Sequence, residues 1–143
     1  MSCVLRASGT YFDVDEFLKT STLDVLTAFR RGAVQFPTAS ITRKSEYSGM
    51  SISVSTREFS DLRGQIEDAI RFLSDNEPEL RRLRDCPGLE RMELDFPIEE
   101  REMVYQRDAF PHQLLSLLGN LRIALVVSRY PAAPVAENRN RTQ

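Results

Sequence analysis

Residues 56–76, TREFSDLRGQIEDAIRFLSDN, carry apolar side chains at Phe59, Leu62, Ile66, Ile70 and Leu73, with Ala69 beside them. Steps of three and four residues gather these positions onto one stripe of an α-helix. Arg63, Gln65, Glu67, Asp68 and Arg71 fall on the other side, and Glu67 precedes Arg71 at the i,i+4 spacing that favours an ion pair. Ser55 and Glu58 have capping-box spacing ahead of the stripe, with Ser60 as a rival N-cap. A helix with one apolar face needs a surface to lie on. The segments on either side supply it as strands.

On the N-terminal side, residues 2–8 alternate, with Cys3, Leu5 and Ala7 on one face and Arg6 on the other, which predicts a strand broken by Gly9. A short helix follows, capped by Asp13, with Val14, Phe17 and Leu18 inward. Residues 23–32 read as a strand ending at Gly32. Thr38–Lys44 and Met50–Thr56 read as a hairpin around SEYSG, with Met50, Ile52 and Val54 opposite Ser51, Ser53 and Ser55.

On the C-terminal side, EPELRRLRD predicts a second helix with Leu80 and Leu83 inward, opened by Pro78. Leu89–Pro97 alternates as a strand with Met92, Leu94 and Phe96 toward the core. Pro111 suits the first turn of a further helix that buries Leu114, Leu115 and Leu118 and is capped by Gly119-Asn120. Leu121–Tyr130 is apolar on both faces, which suits an interior strand. The expectation is α+β: a mostly antiparallel sheet of about five or six strands with helices mainly on one face. Residues 1–131 form a single domain, and 132–143 read as a disordered tail.

Nineteen basic residues stand against twenty-one acidic ones, a balance that argues against general nucleic-acid binding. No apolar run reaches bilayer length, and MSCVLRASG lacks the apolar core of a signal peptide, so a cytoplasmic protein without a membrane partner is expected. Cys3 and Cys86 are too few for a disulfide framework or a zinc site. Asp13 and Asp15 lack the additional oxygen ligands and glycine turn of a calcium loop; at a helix start they answer the macrodipole. The sole histidine, His112, has no identifiable nucleophile or acid beside it and reads as a surface residue. Glycine-rich phosphate loops and metal or nucleophile motifs are absent, so no cofactor and no catalytic residue is nominated.

Residues 98–108 fit neither helical nor strand periodicity. From Glu90 to Glu102, six acids stand against Arg91 and Arg101, and Met103, Val104 and Tyr105 follow. Such a stretch suits a protein-binding surface, with Tyr105 as anchor and Glu99, Glu100 and Glu102 steering a basic partner. A solvated loop would carry the same residues. A second candidate is a small-molecule or carboxylate-dependent catalytic groove between the Arg30-Arg31 turn and the serine row Ser51, Ser53 and Ser55, although a solvated sheet face explains that row as well.

Three markers carry a likeness to known proteins: the opening strand with Gly9-Thr10-Tyr11-Phe12-Asp13, the strand running into Arg30-Arg31-Gly32, and the leucine-rich ending through Ile123-Ala124-Leu125 to Tyr130-Pro131. Together they resemble a family of small uncharacterised bacterial α+β proteins, a domain of unknown function, across most of residues 2–131. The resemblance implies a fold and no catalytic motif; related small α+β proteins include immunity proteins that neutralise a toxin. The acidic stretch 98–108 departs from that pattern. The chain is therefore expected to be a non-enzymatic protein-binding module, an immunity protein against a basic toxin being one form, with self-association left open.

Overall fold

The computed structural model describes residues 2–33 and 44–132. Its elements run β1 (Cys3–Gly9), α1 (Val14–Leu18), β2 (Val25–Phe29), β3 (Ser48–Ser55), α2 (Leu62–Asp75), α3 (Glu77–Arg84), β4 (Arg91–Glu100), α4 (His112–Asn120) and β5 (Ala124–Pro131). Five strands form one mixed sheet in the order β2-β3-β1-β4-β5. β1 lies in the centre, antiparallel to β3 on one side and β4 on the other, and β2 is antiparallel to β3.

The sheet is mostly antiparallel, as expected; the exception is the outermost pair, since β5 runs parallel to β4, with Leu94 opposite Leu125 and Phe96 opposite Val127. A parallel neighbour needs a crossover rather than a hairpin, and the loop after β4 together with α4 supplies it. Among the described residues β5 is thus an edge strand, not the interior strand its apolar sequence predicts.

Alternation positions the core. Cys3, Leu5 and Ala7 of β1, Met50 and Ile52 of β3, and Met92, Leu94 and Phe96 of β4 are buried. Ile66, Ala69 and Leu73 of α2, Leu80 and Leu83 of α3, and Leu114 and Leu118 of α4 join them in one cluster. The intervening strand residues form the opposite, polar face, where Arg6 reaches Asp95 at 2.7 Å and the Ser128 hydroxyl donates to the same carboxylate at 2.7 Å.

Several local details differ from the sequence reading. Asp61, not Ser55 or Ser60, caps α2, its carboxylate accepting from the Gly64 amide at 2.9 Å. Phe59 lies before the helix and packs edge-on against Tyr130. Glu67 pairs with Arg63 rather than Arg71, which approaches Asp68. Gln65 is fully buried, not on the solvent side. Its amide donates to the carbonyls of Glu58 at 3.1 Å and Pro97 at 3.0 Å, tying the start of α2 to β4. Pro111 is the N-cap of α4, Leu115 is exposed, and the left-handed residue after the helix is Arg122 rather than Gly119. Of the hairpin strand expected over Thr38–Lys44, only Lys44 falls among the described residues; Met50, Ser51 and Ile52 pair with β1 on one side and β2 on the other. The tail expected over 132–143 lies outside the described residues except for Ala132.

Candidate protein-binding loop

β4 runs on through Ile98 to Glu100, three residues beyond the expected strand end, and carries the chain to one end of the sheet before the loop that leads to α4. The Glu99 amide donates to the Phe59 carbonyl at 3.2 Å, fixing the base of the loop to the segment ahead of α2. At the far side of the loop, the Phe110 ring meets Phe96 of the core edge-on, with centroids 5.3 Å apart. Both ends are therefore anchored in packed structure.

Between them, a side-chain clip closes the loop on itself. The Gln106 carboxamide donates to the Glu99 carbonyl at 2.9 Å and to the Asp108 carboxylate at 2.7 Å, and accepts from the Arg101 amide at 2.8 Å. Arg101 also reaches Asp108 at 2.8 Å. Burial works against charge on Asp108, but the hydrogen bonds from Arg101 and Gln106, with the positive charges of Arg101 and Arg129, outweigh it and hold this carboxyl below its usual range.

Outside the clip stand Met103, Val104 and Tyr105, exposed by 63%, 105% and 75%. Three consecutive large apolar side chains in water cost hydration free energy that a mobile loop would reduce by folding over; the clip holds the backbone on either side of them. Beside the loop end, Leu62, Ile66 and Ile70 of α2 line an open groove of about 460 Å³ with Ala109 and Pro111.

The structure places Glu99 half-buried near the end of β4, Glu100 exposed at its last position, and Glu102 and Tyr105 exposed in the loop. The other acids of the stretch disperse. Asp95 is engaged by Arg6 and Ser128 on the sheet face, and the Glu90 carboxylate accepts from the Thr10 amide at 2.8 Å. At the loop Glu99, Glu100 and Glu102 remain, set against the exposed Arg107. Arg101, Gln106 and Asp108 went unrecognised in the sequence; their spacing of five and two residues in an unpatterned stretch was the available signal.

No family model, curated protein or solved structure matches this chain.

The second candidate set is spread over different surroundings. Arg30 forks onto Asp15, its Nε lying 2.9 Å from one carboxylate oxygen and its terminal nitrogen 2.6 Å from the other. Arg31 stacks over the Tyr11 ring at 5.0 Å. Ser51 and Ser53 are half-buried, whereas Ser55 is buried and donates to Asp68 of α2 at 2.7 Å. A register shift between Cys3 and Val4 explains the difference: Ser55 pairs with the buried Cys3, so the serine row breaks and its last member turns toward the helices. An open hollow of about 540 Å³ does lie beside Arg31, lined by Thr10, Gly32, Lys44, Ser45, Glu46 and Tyr47. None of the three serines borders it.

His112 is exposed in the first turn of α4. Burial, with the negative charges of Asp95 and Asp68 adding to it, pushes the Cys3 thiol far up; Cys86 is half-buried and its thiol is also raised, by burial first. Neither environment activates a thiolate nucleophile. Among the described residues, no three His, Cys, Asp or Glu side chains cluster as metal ligands, and no helix is long and apolar enough to cross a membrane.

Proposed function

We propose that the chain is a non-enzymatic protein-binding module whose contact surface is the loop after β4. Met103, Val104 and Tyr105 form the apolar centre, and Glu99, Glu100 and Glu102 form the charged surround. One observation carries this reading: the Arg101–Gln106–Asp108 clip holds three exposed apolar side chains outward. Interfaces concentrate their affinity in a few such anchors, tyrosine prominent among them. A loop already ordered before contact gives up less conformational entropy on binding. The acids speed encounter with a basic surface and make association sensitive to salt.

A basic protein partner follows from this charge. The resemblance to small α+β proteins that include immunity proteins favours a basic toxin as that partner. A small-ligand reading rests on the hollow beside Arg31, where Arg31 and Lys44 outnumber Glu46, and suits an anionic compound; the large apolar anchors at the loop have no part in it.

The deciding experiment is affinity capture from a lysate of the source organism at low and high salt, with wild type run beside Tyr105→Ala and the triple variant Glu99→Lys, Glu100→Lys, Glu102→Lys. A stoichiometric partner held by wild type, released by salt and lost by both variants supports the loop. Capture that persists in both variants rules the loop out as the contact surface.

A further inference from the structure

We propose that the chain pairs with a second copy of itself along the outer edge of β5, joining two five-stranded sheets across a two-fold axis at Val127. Three observations converge on this strand. Its sequence, Ala124-Leu125-Val126-Val127-Ser128-Arg129-Tyr130-Pro131, is apolar on both faces at its start, the composition of a strand with neighbours on both sides. Yet β5 stands at the end of the sheet, and among the described residues nothing pairs with its outer edge. Val127 in its middle is 38% exposed although its partner across the ladder, Phe96, lies fully in the core.

Sheet edges that remain single are ordinarily blunted by short length, bulges, proline or lysine. β2, at the opposite edge, is five residues long and shifts register against β3 between Val25 and Thr27. β5 has eight residues in unbroken register, its one proline at the last position, and a single charge at Arg129. It carries none of the usual protections over Ala124–Ser128.

The geometry of an edge then selects the partner and the register. On a strand already paired on one side, the free N–H and C=O groups belong to alternate residues. Two copies of one edge therefore meet antiparallel only in registers centred on a residue. Centring on Arg129 opposes two like charges, centring on Ser128 brings the donor-less Pro131 opposite Leu125, and centring on Val126 pairs only residues 124–128 because the strand begins at Ala124. Centring on Val127 sets Val127 against its own copy, Val126 against Ser128 and Leu125 against Arg129. It opposes apolar side chains at the axis and leaves Pro131 outside the paired core. The pairing is isologous and closes as a dimer, leaving β2 as both outer edges. It places the two loops after β4 at opposite ends of the joined sheet.

The test is sedimentation equilibrium of the full chain from low micromolar to submillimolar concentration, with Val127→Lys beside wild type. A monomer–dimer equilibrium is expected, weakened about tenfold or more by two lysines facing each other at the axis. In a Cys86→Ser background, Val127→Cys should form a disulfide-linked dimer under mild oxidation, while Leu115→Cys, exposed on α4, should not. A wild type monomeric throughout overturns the proposal, as does a dimer indifferent to Val127→Lys. Should the lysine variant fail to fold, the cysteine pair decides: equal crosslinking at 115 and 127 also overturns it.

Discussion

Arg101 and Asp108 meet at 2.8 Å across the loop after β4, and Gln106 spans the same gap from within, so the six residues between the ion-paired ends are held as a closed arch. A surface ion pair alone contributes little. Here the carboxylate is largely shielded and receives donors from both side chains, which turns a single contact into a network.

Replacing Gln106 by Ala removes three hydrogen bonds from this arch while leaving Phe59, Phe96 and Phe110 in place. The expected result is local: amide exchange over residues 101–106 speeds up by roughly tenfold, corresponding to about 1.4 kcal/mol of easier opening, with thermal unfolding of the whole domain little changed. Exchange at wild-type rates would mean that packing at the loop ends, not the clip, orders the arch.

Asp108 also sets the pH dependence of the arch. Its folded-state carboxyl lies below the ordinary range, so its contribution is complete above the unfolded value of about 3.9 and is lost as pH falls through the lower folded value. Amide chemical shifts of residues 102–105 should therefore hold steady from neutral pH into mild acid and change only in strong acid. Asp108→Asn should abolish that transition. A transition at or above the ordinary carboxylate range would contradict the assigned network.

At the opposite end of the sheet, Gly9 and Gly88 interlock. A Cβ on Gly9 would run into the Gly88 carbonyl oxygen, and Gly88, at φ 83°, would place its own Cβ against the Tyr11 carbonyl. Gly9→Ala has backbone rather than a flexible side chain to displace, so it should destabilise the domain by about 1–3 kcal/mol in urea unfolding. Gly88→Ala adds left-handed strain to the same clash and should cost no less. Gly119→Ala, where a Cβ meets nothing, is the matched control and should be neutral or stabilising.

Periodic segments were legible because a single period reports burial directly. β1 and α3 bury the residues their alternation or helical stripe nominates, with Cys3 and Leu80 as examples, and α2 buries Ile66, Ala69 and Leu73 of its stripe while Leu62 and Ile70 stay half-buried and Phe59 lies ahead of the helix. β5 was misplaced because an apolar strand looks interior in sequence even where, among the described residues, one of its edges has no neighbour. Gln65 was misread because its polarity says nothing of the carbonyls it serves, seven and thirty-two residues away. The loop showed its exposure through lost periodicity, and its acidic residues could be named. Its clip could not, since Arg101, Gln106 and Asp108 become partners only once the chain turns back. Ser55 escaped for a similar reason: one extra residue on β3, Val54, between the Cys3–Ser55 and Val4–Ser53 pairs moves its hydroxyl from the sheet face to Asp68.

Gln65 offers the sharpest test of the core. Both of its amide protons are used, and among the described residues its carbonyl oxygen has no partner. Gln65→Leu takes the side-chain donor from the Pro97 carbonyl, while the Glu58 carbonyl keeps the Asp61 amide at 2.9 Å, and should cost about 1–3 kcal/mol, partly offset by removal of that unpaired oxygen. Gln65→Glu should be worse at neutral pH, because an ionised carboxylate would be buried against two carbonyl oxygens. Burial raises the folded-state value of such a carboxyl above its unfolded one, so the variant's stability is retained in acid, where the protonated group can still donate to one carbonyl, and falls as pH rises. Urea unfolding at neutral pH and near about pH 4 should show the gap to wild type narrowing in acid for Gln65→Glu but not for Gln65→Leu. A gap independent of pH would mean that the carboxylate reaches water and that the α2–β4 junction is open there.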